Sequence, residues 1–262
     1  MEDPDELISN LQSSSQRFIE ISFGTKTTKP IRVPQQTLEC LSPYFKTALK
    51  KNTFKEGVNG TISLPEDEYD VWKVLLYWFF NHKLPDSMHA RTSIYSQKPR
   101  YLEMAPLAPH LRLATRCWIA GDKYEIPQFQ DAVMLCILRY MDAMQWSGKL
   151  LEVDVLLLVL DNTVQGSPLQ ELFVDWVAVR MHTGAGVDTY EGVLESSKDS
   201  KPLYERLDGT GFYPAMLVKR PMLDMDEALT WRANRSKHDD RQWTSFFLAR
   251  TEIYDCRCEY CD

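Results

Sequence analysis

The chain has 262 residues, with 30 Lys and Arg against 37 Asp and Glu, a formal charge of -7. That length suits one large or two modest domains. The acidic balance argues against a dedicated nucleic-acid binder, which needs a basic surface. No apolar run reaches the roughly 20 residues of a membrane helix. The best candidate, Val153 to Leu160, contains Asp154 and reads as a buried helix.

The acidic start, Met1 to Glu6, lacks the basic and apolar regions of a signal peptide, so a cytoplasmic or nuclear protein is expected. Residues 1–16 are polar, with a Ser13-Ser14-Ser15 run, and read as a flexible tail. Ile19, Ile21 and Phe23 then share one face of a strand. Gly24 to Lys29 connects it to a second strand, Ile31-Arg32-Val33, which predicts a hairpin. The chain turns helical after Val33. A further helix opens at Ser42, whose hydroxyl caps free amides, with Pro43 where no amide is needed.

Phe54-Lys55-Glu56-Gly57 forms a turn, followed by a third short strand carrying Ile62 and Leu64 and then by Pro65-Glu66-Asp67. The spacing predicts a helix over 68–80. Val71, Leu75, Trp78 and Phe79 make one apolar face and Trp72, Leu76 and Phe80 a second, so burial on most sides is expected. From 85 to 108, Pro85, Pro99, Pro106 and Pro109, with Arg91, Lys98 and Arg100 between them, are expected to prevent a continuous helix or central strand, and the stretch reads as a loop insertion. Leu111, Ala114 and Trp118 restore helical periodicity, and Gly121 is placed to end that helix. Pro127 opens the next, with Phe129, Val133, Cys136, Ile137 and Tyr140 in a stripe. Ser167 and Gln170 have capping-box spacing ahead of Leu169, Leu172, Phe173, Trp176 and Val177. Residues 183–200 read as a loop, and Phe212 to Lys219 and Asp240 to Arg250 as helices.

The order and spacing of these pieces carry a resemblance. They are the hairpin, Ser42-Pro43-Tyr44-Phe45, Phe54-Lys55-Glu56, Ile62 with Leu64, Tyr77-Trp78 with Leu84-Pro85, and Gly121 to Pro127. Asn162-Thr163 with Gly166-Ser167-Pro168-Leu169 looks like a fungal-type extension. Over about residues 17–182 the chain resembles the BTB/POZ family, in its fungal branch, a protein-interaction fold. The resemblance implies an α+β fold, a short β-sheet flanked by a cluster of helices. It places a BTB/POZ domain at 17–142, with the insertion 85–108 inside it, and a helical carboxy-terminal region at 150–262. Many animal members carry an aspartate on the first strand and a histidine before the first helix. Here those places hold Glu20 and Val33-Pro34, so groove-based repressor recognition is not carried over. Nor does a swapped amino-terminal strand have a counterpart before Arg17.

Phe54-Lys55-Glu56 resembles the apolar-any-acidic motif with which some BTB adaptors engage cullin scaffolds of ubiquitin ligases. The other reading packs Phe54 beneath the loop and leaves Glu56 solvated. Cys256, Cys258 and Cys261 could share a soft metal ion, with His238 or Asp255 as a fourth ligand. A frayed tail is the preferred reading. Arg232, Arg235, Lys237, His238 and Arg241 read as a solvated face, because Asp239 and Asp240 interrupt the run; an acidic partner or nucleic acid is the alternative. Cys40, Cys117 and Cys136 lie in helical patterns and suit reduced thiols.

The sequence has no glycine-rich phosphate loop, no Gly-x-Ser-x-Gly elbow and no His-Glu-x-x-His helix. The expectation is a protein-interaction module, self-associating or recruiting protein partners, with no catalysis, cofactor or small-molecule substrate. A cullin-ligase substrate adaptor and a nuclear regulator are the alternatives. Protein purified without chelator is expected to hold no stoichiometric zinc by elemental analysis. One zinc per chain, lost on replacing Cys256, Cys258 and Cys261 by serine, would reverse that reading.

Overall fold

Alternation at Ile19, Ile21 and Phe23 sends three apolar side chains to one side of an extended segment, β1 (Phe18–Phe23), and all three are buried. In the computed structural model, which describes residues 17–24, 29–50, 53–88, 107–146, 150–183, 194–195 and 203–219, β1 is the centre of a three-stranded sheet. It pairs antiparallel with β2 (Ile31–Pro34), Ile19 opposite Val33, which is the expected hairpin. It pairs parallel with β3 (Thr61–Leu64), Ile21 opposite Ile62 and Phe23 opposite Leu64. The protein is thus mixed α+β, mostly helical with a small sheet. It divides into two compact units, Met1–Lys83 with Ala120–Ile126, and Leu84–Ile119 with Pro127–Asp262.

In the first unit, α1 (Gln35–Leu41) and α2 (Pro43–Ala48) meet at Ser42. Ser42 ends α1, its amide donating to the Leu38 carbonyl, and begins α2, its hydroxyl accepting from the Tyr44 amide at 3.0 Å. A five-residue helix, α3 (Lys55–Asn59), precedes β3, and Gly60 closes it at φ 70, a left-handed conformation that glycine adopts freely. After β3 comes α4 (Tyr69–Asn81).

Phe45 and Trp72 form the core with Phe23 and, from the segment 120–126, Tyr124. The Phe45 and Tyr124 rings stack at 5.0 Å, and Trp72 meets Phe23, Phe45 and Tyr124 edge-on or tilted at 5.5–5.7 Å. Such pairs add roughly 0.5–1.5 kcal/mol each beyond their burial.

The second unit holds a 3-10 turn at Asp86–Met88, most of α5 (Leu107–Lys123), α6 (Pro127–Trp146), α7 (Val153–Asn162), α8 (Pro168–Thr183), α9 (Leu203–Leu207) and α10 (Phe212–Lys219). Two-residue strands β4 (Leu151–Glu152) and β5 (Leu194–Glu195) pair in parallel. The 153–160 run is a buried helix, as its composition predicts, and no helix among the described residues is long and apolar enough to cross a membrane. Ser167 and Gln170 depart slightly from a capping box. The Ser167 hydroxyl accepts from the Gln170 backbone amide, while the Gln170 side-chain Oε1 accepts from the Gly166 amide, one residue early. The Met88 carbonyl accepts from both the Cys136 thiol and the Tyr140 hydroxyl. Burial pushes the Cys136 thiol up to about 12, making it an inert core group.

Two expectations need correction. Gly121 does not end α5, which runs on to Lys123; Gly121 lies buried within its last turn, and the left-handed residue is Glu125 at φ 56. The other concerns α4, which is not buried along its length. Val71, Trp72, Leu75 and Leu76 are inside, but Phe80 is 59% exposed and Trp78 and Phe79 are only half-buried. Periodicity identifies the faces of a helix, whereas which turns are covered depends on what packs there. The covered turns are those over the aromatic cluster. Residues 1–16, residues 89–106 of the insertion and the expected helix over 240–250 lie outside the described residues.

Trp72→Ala is therefore expected to cost about 3–5 kcal/mol in urea melts, the range for truncating a buried aromatic. Phe80→Ser should change stability by no more than about 0.5 kcal/mol. Equal losses at the two positions would contradict the burial described.

Candidate functional site

Phe54 caps the amino end of α3 with an extended backbone, and its ring is 48% exposed. It does not lie buried beneath the loop. Lys55 is exposed and Glu56 half-buried in the first turn that follows. The sequence reading had this stretch as a turn, and the structure makes it helical. What fixes α3 is Gly57: a Cβ there would lie 2.3 Å from the Lys50 carbonyl oxygen, so only glycine permits the close approach.

Phe54 and Glu56 border an open groove of about 410 Å³ on the first unit. One wall is a single face of α2, formed by Pro43, Tyr44, Thr47 and Ala48; the other side is β3, through Ile62, Ser63 and Leu64. Glu125 completes the lining. Tyr44 is 42% exposed, so two half-exposed aromatic rings stand at the groove. The charged lining residues are both carboxylates, and neither Glu56 nor Glu125 forms an ion pair among the described residues.

Glu125 owes its place to Asp67. The Asp67 carboxylate, only 8% exposed, accepts from the Trp72 indole at 2.7 Å, the Tyr124 hydroxyl at 2.5 Å and the Lys123 ammonium at 2.6 Å. These bonds fasten the segment 120–126 beside α4 and the aromatic cluster. The α5 end then closes with the Ile126 amide donating to the Gly121 carbonyl, which needs a left-handed residue at Glu125. Glycine is usual there, and a residue with a Cβ costs roughly 1–2 kcal/mol more.

Burial, reinforced by the bond to Asp67, holds the Tyr124 hydroxyl well above the ordinary phenol range. Tyr44 is also tied in, its ring meeting those of Phe45 at 5.1 Å and Tyr124 at 5.3 Å. The outward wall of the groove and the core are thus one packed aromatic set.

Of the residues singled out from sequence, Phe54 and Glu56 come together at this groove's border, while Lys55, exposed between them in sequence, does not line it. Cys256, Cys258, Cys261, His238, Asp255 and the cluster Arg232, Arg235, Lys237, His238 and Arg241 lie outside the described residues. Among the described residues no group of three or more His, Cys, Asp or Glu could hold a metal ion. Sequence reasoning missed Asp67, Glu125 and the role of Tyr44. Only Glu125 left a trace, as a residue with a side chain just past a helix end where Gly or Asn is usual. The sequence matches no protein-family model and no curated protein.

A phenol whose folded pKa is raised stabilises the fold fully below its unfolded value and loses that stabilisation as pH rises through the folded value. Stability against urea should therefore fall above about pH 10, the ordinary phenol value. Tyr124→Phe should flatten this alkaline decline, while Tyr140, also raised by burial, keeps part of it. An unchanged slope in Tyr124→Phe would remove Tyr124 from the alkaline transition.

Proposed function

We propose that this chain is a protein-interaction module of the BTB/POZ kind, a homo- or hetero-oligomerising scaffold or adaptor without catalytic activity. Residues 17–142 form the BTB/POZ domain on this reading, and 150–262 its helical carboxy-terminal region. The observation that carries it is the groove bordered by Tyr44 and Phe54. Half-exposed aromatic rings are among the groups from which interfaces draw most of their binding energy, and that of Tyr44 is held against the core by Phe45 and Tyr124. The element order also supports it: a hairpin, the helix α1, a Ser-Pro-capped helix, a five-residue helix, a third strand parallel to the first, and a long helix.

A second reading, a substrate adaptor of a cullin-type ubiquitin ligase, is favoured by one specific feature. The Phe54 ring stands exposed at a helix start with Glu56 close behind it, as an aromatic anchor with an adjacent carboxylate would.

Affinity capture with the full chain, followed by mass spectrometry, tests both readings. Phe54→Ala should weaken a partner by about 2 kcal/mol or more, as interface hot spots do. It should cost folding less than about 1 kcal/mol, the scale of a surface change. Capture of a cullin by the wild type and its loss in folded Phe54→Ala and Glu56→Lys proteins would establish the second reading. An unchanged set of partners in a folded Phe54→Ala protein would remove this surface from the function.

A further inference from the structure

We infer that the groove takes an extended, basic segment of a partner protein, added as a strand to the free edge of β3. This deepens the interaction reading and rests on it. The sheet order is β2-β1-β3, so β3 is an edge among the described residues. The parallel ladder begins with the Glu20 amide donating to the Gly60 carbonyl at 2.9 Å, with Glu20 opposite Thr61 and Ser22 opposite Ser63. In that register the amides of Ile62 and Leu64 turn toward β1. The amides and carbonyls of Thr61 and Ser63 turn outward.

The two edges of the sheet differ in kind. In the antiparallel β1–β2 register, the outward backbone groups of β2 belong to Arg32 and Pro34. A charge and a residue without an amide are common means of blocking unwanted pairing. Among the described residues the β3 edge has Thr61 and Ser63, both uncharged and exposed, and the groove is lined by Ile62, Ser63 and Leu64 of this strand. An incoming strand would pair with these groups while its side chains met Tyr44 and Phe54, a known mode of peptide recognition.

Charge selects the occupant. Glu56 and Glu125 are the charged groups of the lining, and neither is paired among the described residues. A lysine or arginine flanked by apolar residues complements them; an acidic segment is repelled.

The test uses the full chain and an array of hexapeptides that alternate valine and threonine around one variable position. Lysine and arginine peptides should be retained and the glutamate and alanine peptides not. For the best lysine peptide, N-methylation of alternate amides should weaken binding about ten-fold in one register and little in the other, because a strand addition uses every second amide. Glu125→Gly should weaken it by a similar factor, with an equal or higher urea midpoint that excludes misfolding. Retention that ignores the peptide's charge, insensitivity to N-methylation in both registers, or no retention at all would overturn the proposal. So would a solution dimer that Glu125→Lys dissociates, which would give the edge to a second copy of this chain. Partners lost in Phe54→Ala but indifferent to Glu125→Gly would leave the interaction module standing and remove only the strand-acceptor role.

Discussion

One buried carboxylate organises the first unit. Taking Asp67 out of water is costly unless its oxygens are fully hydrogen-bonded, and here Trp72, Lys123 and Tyr124 supply the donors. The bond to Tyr124 spans 57 residues of sequence, joining the turn after β3 to the end of α5. Because the indole and phenol donors are themselves members of the aromatic core, the carboxylate sets their ring orientations as well as pairing a charge. Removing it would leave an indole and a phenol buried and unpaired, each at a penalty of about 1–3 kcal/mol. The Lys123 contribution is smaller, since that side chain is nearly half exposed and its pairing is screened.

The groove follows from this constraint. Tyr44 and Phe45 are neighbours on α2, and a helix turns consecutive residues about 100° apart. Phe45 therefore enters the core while Tyr44 faces the groove, yet their rings remain in contact. Tyr124 touches both rings and Asp67 fixes Tyr124. A surface ring held in this way loses little further freedom on binding, which is the main cost of ordering side chains at an interface. Glu125 follows Tyr124 directly, so the carboxylate at the groove is placed by the same fastening.

How much of this could be read from the chain divides along local and distant interactions. The hairpin, the Ser42 cap, the 153–160 helix and the helix at Phe212–Lys219 each rest on contacts within a few residues, and each is found where the pattern places it. The stretch 54–57 reads as a turn and is helical, because the close approach of Gly57 to the Lys50 carbonyl that glycine permits is not visible in the local pattern. Asp67 left no mark either. Its donors are 5, 56 and 57 residues away, and an aspartate before a helix looks the same whether or not they converge on it. Trp72 and Trp78 were likewise indistinguishable by period, since both lie on apolar stripes of α4. Only the packing of Phe45 and Tyr124 against the first selects it as the buried one.

Charges elsewhere in the chain show what a satisfied surface looks like. In the second unit Arg112 pairs with Glu152 at 2.6 Å and approaches Asp154, which Arg206 also contacts, so two acids and two bases form a connected series across α5, β4, α7 and α9. In the first unit, Asp70 pairs with Lys73 one turn along α4. Against that pattern, Glu56 and Glu125 have no cationic partner among the described residues, beside two exposed aromatic rings and a strand edge that no described strand covers. A partially enclosed site screens charge less than open water does, so unpaired acids there have a larger effect on what binds than the same acids on a convex surface. The groove's acidity therefore acts as a selector, favouring cationic segments and disfavouring acidic ones, while the strand edge and the rings supply the contact.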